Sequence, residues 1–130
     1  MSGLEIWINP SCSKCRSATA ELDAAGIAYT ERRYLEQPPT SAELREVLDR
    51  MGLDPWHLAR SAETRAAGIE LPRDASHRED WIAAMVAEPR TIQRPIVTAT
   101  DGTTVLARDA DSLAALVARE RDQGSRQAPA

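Results

Sequence analysis

Two cysteines, Cys12 and Cys15, stand three positions apart, and they are the only two in the 130-residue chain. A C-x-x-C pair in a chain with no other cysteine points to redox or metal chemistry, not to a disulfide scaffold. Cys12 falls between an expected strand end and an expected helix N-terminus. Free N–H groups and the helix dipole there stabilise a thiolate. Lys14 and Arg16 add positive charge close by, so Cys12 is the better candidate for an exposed nucleophile. Cys15 lies one turn on, where it is more enclosed. It either resolves a bond formed at Cys12 or packs as a small apolar residue. A zinc site would need further ligands. His57 and His77 are too far apart in sequence for a structural zinc pair, and no metal is expected. A Cys-His-Asp hydrolase has no local pattern in its favour.

The remaining chemistry lies in arginine. Lys14 is the only lysine, although basic residues number 16 against 20 acidic ones, a net charge of −4. That balance argues against a general nucleic-acid binder. An anionic substrate would have to be attracted locally, not by the molecule as a whole. Arginine suits planar, bidentate binding of oxyanions. Arg60, Arg94 and Arg108, each taken alone, read as solvated charges or rim ion pairs. Arg94-Pro95, just before an expected hairpin strand, is more suggestive.

The elements that must position these residues are legible in the periodicity. Leu4 to Asn9 reads as a strand, with Leu4, Ile6 and Ile8 on one face. Asn9-Pro10-Ser11 ends it. A helix follows with Cys15, Ala18, Leu22 and Ala25 on one face and Gly26 as its stop. Ile27 to Tyr34 reads as a second strand. Strand, helix and strand over so short a stretch make a βαβ unit with parallel strands. Thr40 and Glu43 form a capping-box pattern before Leu44, Val47, Leu48 and Met51, with Gly52 as the stop. Residues 55–67 read as one shorter helical piece. Ser76 and Glu79 repeat the capping-box pattern before Trp81, Ile82 and Met85. Ile96 to Thr100 and Thr103 to Ala107, joined through Asp101-Gly102, read as a hairpin. Asp111 is the expected cap of a last helix carrying Leu113, Leu116 and Val117.

Hydrophobic residues make up 42% of the chain and charged residues 28%, ordinary for a soluble globular domain and wrong for disorder. No apolar run approaches the roughly 20 residues of a membrane span. Residues Met1 to Glu5 lack a basic stretch followed by an apolar core, so no signal peptide is expected and the expected location is the cytoplasm. The order β-α-β, helices, β-β, α predicts an α/β chain with a mixed sheet and a thioredoxin-like fold. The expectation is one domain over residues 1–120, with a helical insertion at about 38–90 and a disordered tail over 121–130. In that fold a proline at the position of Pro95 faces the active-site cysteine, commonly after a cis peptide bond.

At these residues the chain resembles the glutaredoxin-linked arsenate reductases of the thioredoxin-fold type, over about residues 4–118. Asn9-Pro10-Ser11-Cys12 matches the family's active-site stretch, and Arg16 matches the arginine four residues beyond the cysteine. Tyr34-Leu35-Glu36-Gln37-Pro38-Pro39 matches a tyrosine-leucine-glutamate motif followed by two prolines. Arg60, Arg94 within Arg94-Pro95-Ile96-Val97, and Arg108 match three oxyanion-binding arginines. Arg108 follows one extra loop residue. Two positions depart from the well-known members. Ile8 stands where they have a histidine, and Cys15 stands at a position that is not usually cysteine.

The resemblance implies arsenate as substrate and Cys12 as the nucleophile. Lys14, Arg16, Arg60, Arg94, Pro95 and Arg108 would surround the oxyanion, and no cofactor would be bound. The reductant would be an external thiol, from glutathione with glutaredoxin or from a thioredoxin-like protein. The expected assembly is a monomer with no nucleic-acid or membrane partner. A resolving Cys15 would make an internal disulfide with Cys12. The same fold and C-x-x-C also occur in Spx-type regulators, which bind RNA polymerase and use the pair as a redox switch. Arg108 discriminates, because arsenate reduction uses it and the regulators lack it. A thiol reductase of glutathione conjugates on this scaffold would need Cys12 but not all three arginines.

Overall fold

In the first strand, β1 (Leu4–Ile8), the alternation of Leu4, Ile6 and Ile8 buries all three side chains. The computed structural model describes residues 4–108 and 110–127. Their contacts divide the chain into two compact units, one running up to Arg33 and resuming at Arg94, the other Tyr34–Gln93.

The first unit carries the sheet. Helix α1 (Ser13–Ala24) and strand β2 (Tyr29–Arg33) follow β1, and β1 pairs with β2 in parallel. Strands β3 (Ile96–Thr98) and β4 (Thr104–Leu106) form an antiparallel hairpin. β3 pairs antiparallel with β1, with Ile6 opposite Val97. The resulting order β2-β1-β3-β4 is that of a thioredoxin-like mixed sheet. Helix α6 (Ala110–Gln127) closes the unit. Its Leu113 and Leu116 join Leu4, Ile6, Ile8, Val97 and the inner face of α1 (Cys15, Ala18 and Leu22) in one apolar core. Burying such side chains is the main force holding α1 to the sheet, at about 1.5–3 kcal/mol for each large one. Gly26 ends α1 with φ +71°, a left-handed conformation that a residue with Cβ adopts at a cost. Its N–H donates to Asp23 O, and Ile27 N–H donates to Leu22 O, both at 3.0 Å.

The second unit is helical. It contains α2 (Ser41–Met51), α3 (Pro55–Leu58), α4 (Ser61–Ala66) and α5 (Arg78–Ala87). The capping box of Thr40 and Glu43 forms in full. Thr40 Oγ1 accepts from Glu43 N–H at 3.1 Å, and Glu43 Oε1 accepts from Thr40 N–H at 2.9 Å. The fully buried Tyr34 donates its hydroxyl to Ile92 O at 3.0 Å.

Several local expectations need correction. Residues 55–67 form two short helices, because Ala59 and Arg60 are extended. Ala59 makes a β-bridge with Ile92, and Arg60 N–H donates to Thr91 O at 2.6 Å, a tertiary pairing that periodicity does not encode. The Ser76–Glu79 box does not form. Ser76 Oγ donates to Asp74 Oδ1 at 2.7 Å, and Asp74 caps a short 3-10 turn, Ala75–His77, from which α5 starts. Asp74 Oδ1 also accepts from His77 N–H at 3.2 Å, so the Ser76 hydroxyl serves as a donor to the carboxylate and not as a cap. Asp111 lies within the first turn of α6, not at its cap. That helix continues to Gln127, through most of the stretch expected as a tail. Once nucleated, a helix propagates at little cost through residues such as Arg119, Glu120 and Arg121. Residues 128–130 lie outside the described residues.

Tyr34→Phe is expected to lower unfolding stability by about 1–3 kcal/mol, because it leaves the buried Ile92 carbonyl without that donor. Denaturant titration checks this. An unchanged midpoint would contradict the role given to the hydroxyl.

Candidate active site

The loop after β1 delivers Cys12 to the start of α1. Asn9 Oδ1 accepts from Ser11 N–H at 3.0 Å, and Asn9 O accepts from Cys12 N–H at 2.9 Å. This is a tight turn in which Pro10 sits where its ring presets the backbone angle. Cys12 is the N-cap residue of α1, in an extended conformation, with no cap hydrogen bond from its side chain. It is half-buried and Cys15 is fully buried, and both are free thiols.

Opposing effects act on the Cys12 sulfur. Burial, the largest single effect, raises its pKa. The Cys15 N–H, the Arg94 side chain, the Cys15 thiol and the Lys14 N–H together outweigh burial and bring it down to about 7. All four stabilise the thiolate through hydrogen bonds, as expected at a helix N-terminus. Cys15 moves the other way. Burial and the neighbouring Cys12 charge push it up to about 11, against the pull of the Asn9 N–H and Arg94. Asn9 N–H donates to Cys15 Sγ at 3.5 Å. One thiol is thus ready at neutral pH and the other is held protonated beside it.

Behind Cys12 the hairpin carries two of the expected arginines. The Arg94-Pro95 peptide bond is cis, and Pro95 is buried. Pro95 O accepts from Ala107 N–H at 2.9 Å, and Arg94 O accepts from Arg108 Nη1 at 3.2 Å. Lys14 Nζ donates to Arg108 O at 3.1 Å. Lys14 therefore ties α1 to the segment after β4, a tertiary link that its position in the motif does not reveal. Arg16 is exposed on α1, and among the described residues its side chain has no hydrogen bond or ion pair. Beside this cluster lies a cavity of about 400 Å³ lined by Lys14, Ser17, Ala18, Glu21, Ala107, Arg108 and Leu113. Cys12 does not line it.

Arg60 belongs to the second unit, as the extended residue that starts α4. Its Nε donates to Glu63 Oε2 at 2.7 Å, an ion pair in which both side chains are half-buried. Sequence reasoning missed Glu63. The i, i+3 spacing of opposite charges was the available signal. The histidines serve locally: Asp54 N–H donates to His57 Nδ1, and His77 Nδ1 is 2.7 Å from Asp74 Oδ1. Among the described residues no group of three or more His, Cys, Asp or Glu could hold a metal ion, and no helix is long and apolar enough to cross a membrane.

The rate of Cys12 alkylation is expected to rise with pH around a midpoint near 7, the value its surroundings set. Mass spectrometry of iodoacetamide-treated protein would read it, with Cys15 unlabelled at neutral pH. A midpoint at the ordinary thiol value of about 8.5 would contradict the stabilised thiolate.

Comparison with known proteins gives this site its relatives. The ArsC family model matches residues 7–116. The "uncharacterized protein in glnII region" of Streptomyces viridochromogenes is 56% identical over 81% of this chain and 91% of its own. An arsenate reductase of Rhizobium meliloti is 35% identical over 75% of this chain and 70% of its own. The solved structure of an arsenate reductase from Vibrio cholerae superposes with a TM-score of 0.71 at 29% identity, covering 89% of this chain and 99% of that one. The chain belongs to the ArsC family.

Proposed function

We propose that this protein is an oxidoreductase that reduces arsenate to arsenite through the Cys12 thiolate. The observation that carries the reading is Cys12 at the N-terminus of α1, with Arg94 of the hairpin among the groups that favour its thiolate and hold its pKa at about 7. At neutral pH about half of such a thiol is ionised, against a few per cent of an ordinary cysteine. An arsenate ion approaching that sulfur meets like charge. Two unit charges 4 Å apart repel by roughly 4 kcal/mol at an effective dielectric constant of about 20. Cations at the sulfur must offset this. Arg94 and Arg108, joined through the Arg94 carbonyl, supply guanidinium groups suited to oxyanion recognition.

In the proposed reaction Cys12 Sγ attacks arsenic, and one arsenate oxygen leaves as water. A thiol then attacks the Cys12 sulfur and breaks the S–As bond. The bonding pair stays on arsenic, which falls from the pentavalent to the trivalent state, and arsenite departs. Two thiols become one disulfide. An external thiol system of the glutaredoxin or thioredoxin type, in the cytoplasm, restores the reduced enzyme. The names of the Rhizobium and Vibrio relatives support arsenate as substrate. The Arg108 link to Arg94 favours this reading over an Spx-type switch, which needs the cysteine pair and no oxyanion site. Lys14, whose Nζ donates to Arg108 O, adds positive charge at the same end of the hairpin.

Arg94→Ala is expected to cut arsenate turnover about 10- to 100-fold, the loss of one charge-assisted hydrogen bond, and to raise the alkylation midpoint of Cys12. Arg94→Lys keeps the charge and should recover only part of the activity. Arsenite assays on folded variants check both. Full turnover by Arg94→Ala would overturn the oxyanion role.

A further inference from the structure

The cysteine pair carries a deeper statement about the proposed reaction, and it rests on that reading. Cys15 is 1% exposed, packed in the core with Leu22 and Val97, so no bulk thiol or arsenate reaches it. Cys12 nevertheless packs against the same core cluster that contains Cys15, and the Cys15 thiol favours the Cys12 thiolate. The two residues are one helical turn apart, and a disulfide needs Cα atoms only about 4.4–6.8 Å apart. No other cysteine exists in the chain, so an internal disulfide has one possible form.

We propose that Cys15 is the resolving thiol, attacking the Cys12–arsenic adduct so that each turnover ends in a Cys12–Cys15 disulfide that a dithiol reductant reopens. In this step the Cys15 Sγ–Cys12 Sγ bond forms and the Cys12 S–As bond breaks. The electron pair of that bond leaves with arsenic. The Cys15 proton passes to an arsenite oxygen or to solvent. Over the whole cycle two protein thiols and arsenic acid give one disulfide, arsenious acid and water. A dithiol then returns both protons and both electrons to the protein.

The local chemistry favours this order. Burial is the largest effect keeping Cys15 protonated, and while Cys12 is a thiolate its charge and its acceptance of the Cys15 proton add to it. Once the Cys12 sulfur is bonded to arsenic, the two contributions of Cys12 are gone and burial alone opposes ionisation. The Asn9 N–H and Arg94, which stabilise the Cys15 thiolate, remain. Forming the adduct therefore activates the thiol that cleaves it, and a premature disulfide is disfavoured.

A single-turnover experiment on the whole protein tests this. Reduced protein, freed of reductant, is mixed with excess arsenate and no added thiol. The expected result is one arsenite per chain, a mass lower by two hydrogens, and a peptide map joining Cys12 to Cys15. Cys15→Ser, and Cys15→Ala if the serine variant is misfolded by circular dichroism, should lose this burst. The proposal is overturned if wild type forms no arsenite alone yet does so with glutathione and glutaredoxin. That outcome leaves the reductase reading intact, with Cys15 as a packing residue. No arsenite with any thiol system overturns both.

Discussion

A thiolate at the end of a half-buried loop must be offset by positive charge, and the first unit is organised around that requirement. Burial alone would lift the Cys12 thiol above its ordinary value. The N-terminus of α1 and the Arg94 guanidinium reverse the sign. Each contribution depends on structure elsewhere. The helix end is aimed by the Asn9–Ser11 turn and held down by Cys15, Ala18 and Leu22 in the core. Arg94 is fixed at the head of the hairpin, with its carbonyl bonded to Arg108 and the following proline bonded through its own carbonyl to Ala107. Lys14 then ties the helix to the far end of the hairpin. The sheet, two helix faces and one turn converge on the charge state of one sulfur.

Most of this frame is legible in the sequence because it rests on short-range rules. Leu4, Ile6 and Ile8 alternate, Cys15, Ala18 and Leu22 recur at helical spacing, and Asp101-Gly102 marks the hairpin turn. These patterns suffice to put Cys12 at a helix N-terminus and Arg94 at a strand start. The failures share a cause. The break at Ala59–Arg60 comes from pairing with Thr91 and Ile92, far away in sequence. Ser76 turns its hydroxyl to the Asp74 carboxylate as a donor, a choice of local partner that a motif search does not weigh. The Arg60–Glu63 pair and the Lys14–Arg108 link are side-chain choices that no motif encodes.

The two departures from the well-known reductases, Ile8 and Cys15, lie in the one core cluster against which Cys12 packs. Ile8, in place of a histidine, is 4% exposed in the sheet core and offers no charge to Cys12. Stabilisation of the thiolate passes to the helix end and Arg94. Cys15 adds a second thiol in the core cluster against which Cys12 packs. A site that has lost one cation and gained one thiol is suited to handing its oxidation inward, from Cys12 to Cys15.

The central claim is that Cys12 takes arsenate to arsenite. The direct measurement is arsenite formed by the reduced protein in two separate reactions, one with glutathione and glutaredoxin and one with a thioredoxin system, alongside Cys12→Ser. The account predicts arsenite in at least one reaction and none from Cys12→Ser. Equal arsenite from Cys12→Ser, or none from wild type in either reaction, would contradict it.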